Sequence, residues 1–169
     1  MKTLRLILGD QLNYQHSWYT NDDEDTIYFM AETKEEGSYV KHHIQKLVGF
    51  FMAMRSFAEH LKSKGKTVVY YKIDDEINRH TLEDNLKQVI NDHGVEKLEY
   101  QYPDEYRLDE KLKSFCDDLS IEWSAYDTEH YYTKRGDVEK FFKGKKGMIL
   151  EYFYRDMRKK HGILMVDEK

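Results

Sequence analysis

The sequence has one cysteine, Cys116, and one proline, Pro103, among its 169 residues. A single thiol excludes an internal disulfide and any metal site built only from this chain's cysteines. One proline leaves no Pro-rich linker between domains. No apolar run approaches the roughly 20 residues of a membrane span. No basic segment followed by a long apolar stretch marks a secretory leader. The expected compartment is therefore the cytoplasm, with no membrane partner. Two phosphate-binding signatures are missing as well. Gly9-Asp10-Gln11 has one glycine where a dinucleotide fingerprint needs three, and no P-loop occurs, which excludes a tight pyrophosphate grip at this turn.

What is present begins with charge and aromatics. There are 14 tyrosines, 35% of residues are charged, and the net charge is −5. That charge is uneven: residues 134–160 hold ten Lys/Arg against four Asp/Glu, so the remainder is strongly acidic. Such asymmetry marks a partner-facing or nucleic-acid-facing end.

The stretch that organises the chain is Leu6-Ile7-Leu8 followed by Gly9-Asp10-Gln11. The apolar triplet reads as a strand buried on both faces, as in a parallel sheet. Gly9 permits a sharp turn, and Asp10 places a carboxylate at the strand's C-terminal end, where open α/β sheets bind ligands. A second strand over 26–31 closes on Glu32 in the same way. Thr33 with Glu36 matches a capping box, with Ser38 as a competing cap. Val40, Ile44, Leu47, Phe51, Met54, Ala58 and Leu61 then recur at spacings of three and four, which predicts a long helix ending near Gly65.

Further on, 67–71 reads as a third strand, 81–92 as a helix and 98–102 as a fourth strand stopped by Pro103. Asp104 is the expected N-cap of a helix with Leu108, Leu112, Phe115 and Leu119 on one face. Residues 121–123 read as a short fifth strand, 127–133 as a polar aromatic loop, and 136–143 and 149–161 as helices. This alternation predicts an α/β fold: a Rossmann-like, doubly wound parallel sheet of five strands in the order 3-2-1-4-5. Its switch point falls between strands 1 and 4. The expected division is an α/β domain over 1–146 and a helix with a tail over 147–169.

Without a phosphate grip, a weakly charged ring system is the expected ligand, with Asp10, Glu32 and Glu36 as acceptors for ring N–H or sugar hydroxyl groups. The alternative is that Asp10 only caps its turn and Glu36 its helix. His42 and His43, placed one turn into the long helix, point about 100° apart and do not suit one metal ion. They serve a ligand or the surface. Ser124, Asp127 and His130 lack a nucleophile elbow, so no catalytic triad is read there. Cys116 reads as a small packed residue. Phe141, Phe142, Tyr152, Phe153 and Tyr154, interleaved with cations, suit nucleic-acid contact. The helical spacing of Tyr152, Phe153 and Met157 favours docking, leaving Arg155, Arg158, Lys159 and Lys160 as a basic edge.

Several blocks resemble one family in its own order. They are Leu6 to Leu12, Ser38-Tyr39-Val40-Lys41-His42-His43, Ala53-Met54-Arg55-Ser56-Phe57-Ala58, Pro103-Asp104-Glu105-Tyr106-Arg107, Glu151-Tyr152-Phe153-Tyr154-Arg155-Asp156-Met157-Arg158 and Gly162-Ile163-Leu164-Met165. The chain is similar to the photolyase-related proteins, which include iron–sulfur bacterial cryptochromes and (6-4) photolyases. The resemblance implies the N-terminal antenna domain of a light-dependent flavoprotein, with a ribityl lumazine as chromophore. It implies contacts from Gly9, Asp10, Gln11, Glu32, Glu36 and Tyr39, Glu36 facing the lumazine ring. It also implies a C-terminal helical domain that carries FAD, a 4Fe–4S cluster held by cysteines and the DNA surface. With one cysteine the chain is not expected to hold the cluster. It is expected to be a fragment of such a protein, not catalytic alone, whose last helix meets the helical domain. The alternatives are a stand-alone interaction or small-ligand module and, weaker, a small Rossmann-like hydrolase.

Overall fold

The computed structural model describes residues 1–20, 24–35 and 40–166. The chain divides into two compact units, Met1–Thr128 and Glu129–Lys169. The first holds one sheet of β1 (Thr3–Leu6), β2 (Thr26–Ala31), β3 (Thr67–Tyr71), β4 (Lys97–Gln101) and β5 (Glu122–Tyr126). All neighbours run parallel, in the order β3-β2-β1-β4-β5. This is the doubly wound α/β sheet expected from the alternation of apolar strands and amphipathic helices.

β1 ends earlier than its apolar run suggests, and Ile7 N–H still donates to the Phe29 carbonyl at 3.0 Å. Alternate side chains enter opposite layers. Leu4, Leu6 and Leu8 join Phe29, Leu98 and Tyr100 beneath α2 (Leu82–His93) and α3 (Tyr106–Asp117). Ile7 joins Tyr28, Met30 and Trp18 beneath α1 (Ile44–Ser63), which supplies Met54, Phe57, Ala58 and Leu61. Burying each such large apolar side chain contributes about 1.5–3 kcal/mol, so both layers hold the sheet. Cys116 is fully buried in the first layer, and burial pushes its thiol up to about 12, which fits an inert packed residue.

Three expectations change. The long helix begins at Ile44, so His43 is its N-cap and lies outside it: His43 Nδ1 accepts from Gln45 N–H at 3.2 Å. An imidazole nitrogen here does what a Ser or Asp oxygen usually does. Val40 falls in a turn and Ile44 is 66% exposed, because only the C-terminal half of α1 lies on the sheet. The expected caps at Glu36 and Ser38 lie outside the described residues. α3 is capped at Glu105, one residue after Asp104. β5 runs three residues beyond its expected end, carried by pairing to β4 through Tyr126.

The second unit holds α4 (Asp137–Phe142) and α5 (Leu150–His161). Phe153 of α5 meets Phe141 at 5.2 Å and Phe142 at 6.2 Å between ring centroids, and Phe142 is buried. Tyr152 was expected on the packing face but is 56% exposed, since only Phe153 and Met157, four apart, share that side.

Candidate functional site

A cleft of about 570 Å³ opens at the C-terminal edge of the sheet, within the 300–1,000 Å³ usual for small-molecule sites. Gly9 and Asp10 line it from the turn after β1, and Thr33 and Glu35 from the segment after β2. His42 and Phe50 come from around the start of α1, and Pro103, Glu105, Arg107, Leu108 and Lys111 from the end of β4 and the start of α3. This is the switch point between strands 1 and 4, where crossovers to opposite faces leave a crevice.

Gly9 has a steric reason to be glycine. A Cβ there would overlap the edge of the Phe50 ring and lie 2.9 Å from the Met54 sulfur. The bare backbone lets α1 close over the turn and sets an aromatic ring against it. Leu8 to Gln11 form a tight turn, Gln11 N–H donating to the Leu8 carbonyl at 3.0 Å. Asp10, at the tip, is exposed and lines the cleft.

The other carboxylate-bearing strand end differs. Glu32 is fully buried, and its two oxygens accept from Arg55 Nε and Nη2 at 2.6 and 2.8 Å, Tyr70 Oη at 2.7 Å and Ile73 N–H at 2.9 Å. Burial pushes its carboxyl up, but these four donors outweigh burial and hold it below the ordinary carboxylate value. Gln11 is equally committed. Its Oε1 accepts from Leu8 N–H at 3.2 Å, while Nε2 donates to the Gln101 carbonyl at 3.1 Å. It ties the end of β1 to the end of β4. Of the six residues singled out in the sequence, Gly9 and Asp10 thus meet in the cleft, while Glu32 and Gln11 brace the strand ends behind it. Glu36 and Tyr39 lie outside the described residues.

Sequence reasoning missed Lys111, which reaches Glu35 at 2.5 Å and Glu83 at 2.8 Å and joins three elements at the rim. Burial draws its ammonium down, but the two carboxylates draw it up further. Arg107, Leu108, Phe50 and Leu82 were also missed, although the switch-point rule pointed to the segment after β4. Among the described residues no three His, Cys, Asp or Glu side chains converge on a metal-sized site. The lining mixes apolar walls with convergent charged groups, which suits a planar ring that carries polar substituents.

A family model for deoxyribodipyrimidine photo-lyase-related proteins matches residues 5–169. A (6-4) photolyase of Agrobacterium fabrum is 34% identical over 171 residues, a match that takes in all of this chain and 34% of the photolyase. An uncharacterised protein of Acanthamoeba polyphaga mimivirus is 24% identical over 182 residues, across all of this chain and 88% of the viral protein. The chain thus spans about a third of the length of the photolyase it matches and most of the viral relative.

Proposed function

The chain belongs to the deoxyribodipyrimidine photo-lyase-related protein family, and we propose that it is the antenna-chromophore domain of such a protein. In this reading it binds a ribityl lumazine and passes absorbed light to FAD in a C-terminal helical domain. That domain would also supply the 4Fe–4S cluster and the DNA contacts, in the cytoplasm. Alone, the chain would bind and orient the chromophore without catalysing a reaction. The observation that carries the reading is the cleft at the β1–β4 switch point, walled by Phe50, Leu82 and Leu108 and edged by Asp10 and Lys111. Asp10 supplies an acceptor for ring or ribityl donors, with Glu36 and Tyr39 as further proposed contacts. These residues do not fit the iron–sulfur cluster, because Cys116 is alone and buried.

The test is a fluorescence titration with 6,7-dimethyl-8-ribityllumazine. Saturable binding that Asp10→Ala weakens about tenfold, the loss of one good hydrogen bond to a charged group, supports the proposal. A protein that leaves the lumazine signal unchanged overturns it. A second reading, a stand-alone interaction module, is favoured by the near full-length viral match and by α5, none of whose residues is buried. Asp10-dependent lumazine binding counts against that version.

A further inference from the structure

The second unit carries a charged surface that the cleft does not use. In the whole chain Met1–Thr128 has 16 Lys/Arg against 25 Asp/Glu, whereas Glu129–Lys169 has 11 against 7. Two groups of lysines lie at opposite ends of α5. Lys143, Lys145 and Lys146 lie in the exposed loop Lys143-Gly144-Lys145-Lys146-Gly147, which bends at Gly144 with φ +78°. Lys159 and Lys160 lie in the last turn of α5. Arg155 is held by Glu151 at 2.7 Å, and Arg158 caps the Ile163 and Leu164 carbonyls. Lys145 sits 3.2 Å above the Phe141 ring, which fixes the loop against α4 without neutralising the ammonium. Among the described residues, Lys143, Lys146, Lys159 and Lys160 have no carboxylate partner.

Aromatic rings occupy the interval between these groups. Phe153 is spent on Phe141 and Phe142, but Tyr152 is 56% and Tyr154 55% exposed. Tyr152 shares a helical face with Arg155 and Lys159, at spacings of three and seven. A 12-residue helix is about 18 Å long, so cation, ring and cation follow one another over a distance of several nucleotides.

We propose that this surface binds single-stranded nucleic acid without sequence preference. Phosphates lie on the loop lysines and on Lys159 and Lys160, and a base stacks on Tyr152. Unpaired bases are required because a flat exposed ring reaches a base face only where the base is not already stacked in a duplex. An acidic protein would satisfy the lysines but would leave the ring's place between them unexplained. The inference is independent of the cleft and of its occupant.

The experiment is fluorescence anisotropy of a labelled dT20 with the full chain across a salt series. Binding should weaken as salt rises, with a log–log slope near −0.7 per phosphate neutralised, so about −3.5 for the five lysines. Reversing Lys145, Lys146, Lys159 and Lys160 to Glu should abolish binding, while Arg at the same positions preserves it. Tyr152→Leu should weaken dT20 at least fivefold and leave the salt slope unchanged, a split that a merely electrostatic surface does not produce. Circular dichroism melting confirms the fold of each variant. Absence of dT20 binding at 50 mM salt overturns the proposal. So does equal binding of heparin with no effect of Tyr152→Leu, or preference for phosphatidylserine vesicles over dT20.

Discussion

Asp10 and Glu32 hold equivalent places in the sequence, each an acidic residue directly after or one turn beyond a buried parallel strand, yet the structure gives them opposite tasks. Asp10 stands exposed at the tip of a tight turn and lines the cleft. Glu32 is fully buried and takes hydrogen bonds from Arg55, Tyr70 and the Ile73 amide. The difference lies in burial, which encloses Glu32 among donors and leaves Asp10 exposed. A buried carboxylate must be paired and hydrogen-bonded to exist as an anion, and once its lone pairs are filled it has none left for a ligand. Glu99 repeats the pattern near the other edge of the sheet. It accepts from Arg5 at 2.9 Å, Lys97 at 2.7 Å and Tyr126 at 2.9 Å, and these bonds outweigh burial and hold its carboxyl low. The acidic strand ends of this fold are therefore of two kinds, braces and rims.

The comparison breaks most sharply at Glu32 itself. Glu32→Ala strands a guanidinium, a phenol and a backbone amide. The expected destabilisation is about 3 kcal/mol, the low end for a broken buried pair because the Arg55 side chain is 44% exposed. The urea midpoint measures it, and a loss under about 1 kcal/mol refutes the bracing role. Gln11→Leu removes the strap between β1 and β4 and should cost about 2 kcal/mol, leaving the Leu8 amide and Gln101 carbonyl short of partners. Thermal melting reads this change.

Acid sharpens the contrast further. The Glu32 and Glu99 carboxyls are lower in the folded than in the unfolded chain. Their stabilisation is complete above the ordinary Glu value of 4.5 and is lost as pH falls through the lowered folded values. Stability should therefore drop below about pH 4.5, and Glu32→Gln should flatten the drop in a series of urea melts. A wild-type curve flat to pH 3 contradicts the assignment. The smallest effect belongs to Asp10. Asp10→Ala should move stability by less than about 0.5 kcal/mol, as exposed substitutions do, while lumazine binding falls. Equal losses of stability in Asp10→Ala and Glu32→Ala would erase the distinction.

Much of this was legible without coordinates. The parallel order follows from five apolar runs separated by amphipathic helices, since right-handed crossovers admit few alternatives. The helix read over 81–92 is α2, with Thr81 as its N-cap, accepting from Asp84 N–H at 3.3 Å. The start of α1 was not legible, because apolar spacing continues back to Val40 while the helix begins only at Ile44. Periodicity records which residues are apolar, not whether a sheet lies opposite them. The rim of the cleft was half legible. Gly9 and Asp10 follow from the strand-end rule, but Lys111 emerges only when α3 is laid beside Glu35 and Glu83.

The amino-acid sequence determined the sheet, its order and the edge at which the cleft opens, because these depend on patterns local to each segment. Tertiary structure alone decided which strand-end acids face the cleft and which are consumed as braces. That choice depends on donors such as Arg55, Tyr70 and the Ile73 amide, brought to the end of β2 by packing rather than by any spacing along the chain.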